Sequence, residues 1–313
     1  MESAPQVVWE RGEELWREPL SLGHLLVRSF RLCRANFFAF AAASMVPAIG
    51  RLCWNLVRST IAIHRHPEWP QGGVTVNSDW GLNIYSTNLA LTIVGLLLFY
   101  ILGGIALSST AGVVSAMSPS EAVGMKPAYA RTRAHWFRCL KVQLVATIYV
   151  WGAFLAGSLS AFVFGATALA SNQVGDAGLA IWYALIAFAL FVGVPVGIVM
   201  HMRYAMAVPV SVMERLAVDP SLRRCAQLSR GTGMRLLELL AVTGGLRFVL
   251  GVVSGWSLHL LTGTHPLIAV LSFVVIPSIA SFLLDALLFP FYCIGITLLY
   301  FNAHEKVAEG SAI

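Results

Sequence analysis

Residues 89–116 read LALTIVGLLLFYILGGIALSSTAGVVSA, from Leu89 to Ala116 without one charged side chain. A helix rises about 1.5 Å per residue, so roughly 20 apolar residues cross the ~30 Å hydrocarbon core of a bilayer. This run is long enough, and it lacks the short alternating segments of a membrane barrel. In hydrocarbon, a lone segment satisfies its backbone polar groups only by coiling into a helix. The stretch is therefore expected to be a transmembrane helix.

Five more runs flank it: Phe37–Ile63, interrupted by Arg51 and Arg58, then Leu140–Ala170, Leu179–Val212, Leu236–Leu261 and Leu267–Tyr300. Composition agrees. Charged residues make up 12% of the 313 and apolar ones 58%, with a mean hydropathy of +0.75. A soluble chain carries roughly a quarter charged residues, so here apolar side chains must face lipid as well as one another. The expected fold class is an all-α integral membrane protein of six transmembrane helices occupying residues 19–301. Segment 1–18 is polar, with Glu10, Glu13, Glu14 and Glu18. It lacks the basic start and early apolar run of a cleaved signal peptide, so the first span is expected to stay as an anchor.

Cations set the direction. Segments 1–36, 117–139 and 213–235 hold Arg28, Arg31, Arg34, Arg131, Arg133, Arg138, Arg223, Arg224, Arg230 and Arg235. The opposite connections, around 64–88, 171–178 and 262–266, contain only Arg65. The positive-inside rule places both termini, and the short tail 302–313, in the cytoplasm of a prokaryotic cell. Trp69, Trp80 and Tyr85 then anchor the outer interface.

The three basic segments resemble one another. They open on Pro19-Leu20-Ser21, Ser118-Pro119-Ser120-Glu121 and Asp219-Pro220-Ser221, and close on Arg34, Arg133 and Arg230. The prolines fall 100 and 101 residues apart and the arginines 99 and 97. Ser118 or Asp219 can cap a helix, proline suits its first position, and Glu121 completes a capping box. Asn36 or Gly231 can stop it in the left-handed conformation. In the first, Leu22, Leu25, Leu26, Phe30 and Cys33 line one side and His24, Arg28 and Arg31 the other, as in a helix lying along a membrane surface. The predicted unit is an interfacial helix plus a transmembrane hairpin, used three times over 19–116, 119–212 and 220–301.

Arg203, Pro209, Glu214 and the run Pro220–Gly231 resemble the signature of the glycerophosphoryl diester phosphodiesterase membrane-domain family. The segments Pro19-Leu-Ser-Leu, Asn36-Phe37 and Leu298-Leu-Tyr-Phe-Asn302 are similar too, while Cys225 stands where a serine is typical. The resemblance implies a membrane module and lipid association. It does not imply hydrolysis, because the family's catalytic barrel has no counterpart in this chain, and His64-Arg65-His66 lacks the acidic partners that barrel uses.

No P-loop, nucleophile elbow, metalloprotease helix or dinucleotide turn is present, so no enzyme, cofactor or nucleic-acid partner is expected. His64 and His66 make a poor metal site, and the five scattered cysteines read as packing. Gly193/Gly197 and Gly251/Gly255 are small faces for close helix approach. Intramembrane polar residues are more informative, since each is costly in lipid. Arg51, Asn55 and Arg58 share one helical face, as do Arg247, Gly251, Gly255 and His259. Ser278, Ser281, Asp285 and Tyr292 form a stripe on the last span. Counted from the inner ends, Arg51, Arg247 and Asp285 lie ~16–22 Å deep, so Asp285 is expected to pair with Arg247 or, failing that, Arg51. That cluster serves either as a buried ion pair or as a cationic cavity for an anionic group. Arg28, Arg31, Arg34, Arg131, Arg133, Arg223, Arg224 and Arg230 are the candidate lipid-headgroup contacts. The leading expectation is a non-enzymatic scaffold or accessory protein associated with anionic phospholipid and open to other membrane subunits. The alternative is a transporter of an anionic metabolite or lipid.

Overall fold

The computed structural model describes residues 21–65, 78–116, 136–170, 187–261 and 275–310, with positions 181 and 184. Segment 1–18, the Ser118/Glu121 capping box, Arg131 and Arg133, Trp69, His66 and the connections around 171–178 and 262–266 lie outside them. Among the described residues there is no strand. The helices are α1 (Leu22–Ala35), α2 (Phe37–Arg65), α3 (Ser78–Ala116), α4 (Trp136–Ala170), α5 (Val194–Tyr204), α6 (Ala207–Met213), α7 (Val218–Leu228), α8 (Gly233–Leu261) and α9 (Ile276–Gly310). Among the described residues, four stretches are long and apolar enough to cross a membrane: Phe37–Arg58, Leu97–Ser115, Phe191–Met213 and Ser278–Val307.

Proline chemistry explains why the fourth predicted span is not one helix. Pro195 has no N–H for the carbonyl of Phe191, and a π turn over Ala189–Gly193 takes up the mismatch before α5 starts. Pro209 likewise leaves Ala205 without an i+4 donor, and the chain breaks at Ala205–Met206 before α6. α9 passes the expected end at Tyr300 and runs to Gly310, so most of the predicted tail is helical. Nothing from Tyr300 to Glu309 is a helix breaker: Phe301-Asn-Ala-His-Glu-Lys-Val-Ala-Glu309 contains neither proline nor glycine.

Two junctions depart from the expected capping. Ser21 caps α1, its hydroxyl accepting from the N–H of His24 at 3.3 Å. Asp219 does not cap α7; that position is Ala217, and the helix starts before the proline. Pro220 falls third, where its missing N–H would have had no helical partner anyway. Asp219 instead sits in the first turn and pairs with Arg223 at 3.0 Å. Asn36 is not left-handed either, at φ −130°, ψ 40°. α2 starts at once, with the N–H groups of Ala39 and Phe40 both bonding the Asn36 carbonyl. Gly231 does take φ +92° and turns α7 into α8. A Cβ there would meet nothing within 4 Å, so backbone conformation rather than space calls for glycine.

The tightest packing gathers at one end of the bundle. Leu25 of α1, Phe40 of α2, Val113 of α3, Met206, Leu228 of α7, Leu239 of α8 and Leu298 and Tyr300 of α9 are all buried in one cluster. α1 joins it through Leu25, Ser29 and Cys33, while Phe30, expected on the same side, stays at the rim and stacks on Phe291 at 6.0 Å. α9 touches α1, α2, α3 and α8, whereas α5 and α8 meet only lightly. Close approach is built from glycine. A Cβ on Gly193 would lie 2.7 Å from the Phe154 Cα, and one on Gly197 2.9 Å from the Val150 carbonyl oxygen. The Gly193/Gly197 face therefore serves packing of α5 on α4 within the bundle. For Gly251 and Gly255 the helical backbone alone is described.

Polar ties close the same end. Arg215 takes the left-handed φ of 53°, strained for a residue with a Cβ. Arg138 holds that turn, donating to the carbonyls of Arg215 at 3.0 Å and Ser211 at 3.2 Å. Glu214 accepts from Tyr300 at 3.2 Å and pairs with Arg224 at 3.4 Å, fixing α7 to α9. The buried Cys225 thiol donates to the Arg203 carbonyl at 3.2 Å, a bond a serine hydroxyl could also make.

Candidate functional site

Beyond that end of the bundle, α3, α4, α5, α8 and α9 enclose a cavity of about 290 Å³. Its wall is mostly aromatic and aliphatic: Phe99 and Tyr100 from α3, Trp151 from α4, Ile198 from α5, Leu240 from α8, Leu288 and Phe289 from α9. A smaller void of about 40 Å³ adjoins it beside Gln143 and Cys293. Gly103 and Gly104 let α3 come close, since a Cβ would meet Phe289 at 3.0 Å and Gln143 at 2.7 Å respectively.

Two polar groups border this space. In the first, Asp285, 2% exposed, sits between two guanidiniums. Arg247 Nη2 is 2.6 Å from Asp285 Oδ1, and Arg51 Nε is 3.6 Å from Oδ2. At that distance the Arg51 contact is ionic, and Oδ2 accepts no hydrogen bond. Both arginines lie against Phe99, with Cζ 5.0 Å (Arg51) and 5.2 Å (Arg247) from the ring centroid. A ring face attracts each cation by about 0.5–2 kcal/mol. Arginine keeps its proton in proteins, so the cluster is cationic whether or not Asp285 is ionised. In the second group, His201 lies between two phenols: Tyr100 OH is 2.5 Å from Nδ1, and Tyr292 OH hydrogen-bonds Nε2. A phenol donates to a bare ring nitrogen and accepts from a protonated one, so either neutral tautomer is satisfied.

The expected pairing partners of Asp285 are both present, Arg247 the closer. Asn55 and Arg58, on the same helix as Arg51, are half-buried and form no part of the cavity wall. His259 lies on α8, where its side chain falls outside the described surroundings. Ser278 is buried and Ser281 half-buried on α9. Sequence reasoning missed His201 and Tyr100. A titratable residue inside an apolar run was the available signal for His201; Tyr100 had none.

The headgroup candidates divide. Arg31, Arg34, Arg223 and Arg230 are exposed and Arg28 is half-buried. Arg224 is half-buried and pairs with Glu214 at 3.4 Å. Among the described residues, no three His, Cys, Asp or Glu side chains are grouped to hold a metal ion.

All-helical described residues, four stretches of membrane-crossing length and a charged pocket among apolar helices make up a helical membrane protein. No protein family, curated protein or solved structure matches the chain.

Proposed function

We propose that this chain is a six-span, non-enzymatic protein of a prokaryotic cytoplasmic membrane that binds anionic lipid, with both termini cytoplasmic. The observation that carries it is the Arg51–Asp285–Arg247 cluster, with its surplus positive charge, at the edge of an apolar aromatic cavity. A buried charge is stable only when matched, and an anionic headgroup supplies the missing charge while its chains suit the wall.

Three further features support the reading. α4 and α8, the two spans beyond the four stretches already named, expose apolar side chains such as Ile148, Leu159, Phe248 and Val253, as lipid-facing helices do. Phe38, Phe137 and Met234 are 84%, 72% and 68% exposed, and they fall 99 and 97 residues apart, like the arginines that close the basic segments. Each stands at the start of the first span of a proposed repeat, beside exposed cations. Lys141 Nζ, for example, lies 4.6 Å from the Phe137 ring centroid. An apolar ring with cations alongside suits the acidic inner leaflet, where each cation contributes about 1 kcal/mol of attraction. Finally, the residues resembling the phosphodiesterase membrane-domain family, Arg203, Glu214 and Pro220–Gly231, build the α5–α7 end of the bundle.

Native mass spectrometry of protein extracted in a neutral detergent tests the proposal. Anionic phospholipid is expected to remain bound in preference to zwitterionic lipid, and Arg51→Gln/Arg247→Gln should lower that preference. Equal retention of both lipids, unchanged in the variant, would sink the reading. Transport of an anionic amphiphile is the second reading, favoured by the π turn and Pro195 leading into the cavity-lining α5. Flux into protein-loaded vesicles separates the two.

A further inference from the structure

Resting on the lipid-binding reading, we infer that the cavity holds a single-chain amphiphile with an anionic oxyacid head, a carboxylate or a phosphate. The head sits at Arg247 and the chain runs along the aromatic wall.

Size argues for one chain. Along the ~10.5 Å of helix between Asp285 and Tyr292, about 290 Å³ leaves a mean cross-section of about 28 Å². That admits one extended hydrocarbon chain and excludes the pair carried by a phospholipid. Such a volume also lies at the small end of small-molecule sites, roughly 300–1,000 Å³.

Charge argues for an anion. Arg247 belongs to the wall, and its bond to Asp285 leaves most of its five N–H donors for a ligand. Two oxygens on one atom, as in a carboxylate or phosphate, match that fork. Asp285 Oδ2, buried and without a hydrogen bond, marks an incomplete cluster; a protonated head or a water carried with it could donate there.

Shape fixes the direction. Asp285 and Tyr292 are seven residues apart on α9, one face and about 10.5 Å along the axis. Between them the wall is Leu288 and Phe289, with Phe99 packed edge-on against Phe289 at 5.4 Å and Trp151 also lining the space. The far end is closed by Tyr100, His201 and Tyr292, whose polar atoms already satisfy one another and ask nothing of a hydrocarbon tail. Access is beside Gly244, which lines the cavity, is exposed, and would meet nothing within 4 Å if given a Cβ. It stands on α8, along the lightly packed α5–α8 seam.

The full-length protein in a neutral detergent is titrated with dodecanoate, dodecyl phosphate, dodecanol and two-chain phosphatidylglycerol. Binding is followed as adducts in native mass spectra and as a fluorescence change lost in Trp151→Phe. At least one of the two anions should saturate at one per chain, and their relative affinity identifies the head. Dodecanol should bind about tenfold or more weakly, as loss of charge-assisted bonds implies. Arg247→Gln should show a similar loss. Gly244→Phe, which keeps every arginine and fills open space, should block binding without lowering the melting temperature. Equal binding of dodecanol, or full binding in Gly244→Phe, overturns the inference. Binding of phosphatidylglycerol alone overturns the single-chain inference and leaves the anionic-lipid reading standing. Binding of none of the four overturns both.

Discussion

Asp285 faces two arginines with one carboxylate, and the imbalance can be weighed by substitution. Asp285→Leu removes the counter-charge and leaves two guanidiniums near Phe99 with only each other. Losing one partner of a buried pair costs about 3–5 kcal/mol, whereas replacing both by apolar residues often costs little. Asp285→Leu is therefore expected to destabilise the protein by about 3 kcal/mol, and Asp285→Leu/Arg247→Met to recover most of that, in denaturant titrations in one detergent. If the double variant is as unstable as the single, the pair is not what the carboxylate contributes to folding. This contact was legible before any coordinates, because a rise of ~1.5 Å per residue puts the three charges at similar depth. The Tyr100–His201–Tyr292 chain was not. Its members come from three different helices, and the rotation of each helix about its axis is set by packing that no single run encodes. The Arg224–Glu214 pair was hidden for a related reason: Glu214 lies beside a turn whose path depends on the left-handed Arg215.

At the scale of elements, apolar runs disclosed the long helices, but composition hid where they stop. Pro195 and Pro209 divide one predicted span into a π turn and two helices, while α9 runs on to Gly310 because no residue after Tyr300 ends it. Proline's lost N–H explains the breaks once they are seen; whether a proline kinks, breaks or merely bends depends on neighbours that re-satisfy the carbonyl. Pro47 and Pro290 sit inside unbroken helices of the same protein. Glycine separates likewise into two kinds. On α5, Gly197 holds the chain against α4, so Gly197→Val must push the Val150 carbonyl away, an overpacking cost of about 1–3 kcal/mol. On α8, Gly244 faces open space, so Gly244→Ala should leave stability unchanged or raise it by about 0.5–1 kcal/mol through helix propensity. Melting temperatures of the two variants, side by side, read this difference. A loss for Gly244→Ala equal to that for Gly197→Val would mean that α5 and α8 pack as closely as α4 and α5.

For the whole molecule, the proposed orientation links the basic segments, the exposed ring and the well-packed end of the bundle. Among the described residues, the basic helices α1 and α7, the exposed ring and the packed end coincide where α1, α6 and α7 meet the start of α4 and the end of α9, which is the proposed cytoplasmic side. A labelling experiment addresses it directly, and the native cysteines allow it. Cys53 is exposed and is first replaced by serine; Cys33, Cys139, Cys225 and Cys293 are buried. Burial also pushes the Cys225 thiol up to about 12 and raises that of Cys33. A raised value keeps the thiol protonated near pH 7, and the thiolate is the reactive form, so neither competes for a maleimide. In that background, Gln71→Cys should label from outside intact cells with a membrane-impermeant maleimide. Arg223→Cys, at a site 79% exposed beyond the packed end, should label only after the membrane is opened. Ser221 is unsuitable for this purpose because it is buried. The opposite pattern would turn the molecule over. The exposed Phe38, Phe137 and Met234 would then lie in the outer leaflet, and attraction to an acidic inner surface could no longer hold the protein's basic face. The cavity proposal would survive that outcome, since Arg51, Arg247 and Asp285 lie well inside the span from either side.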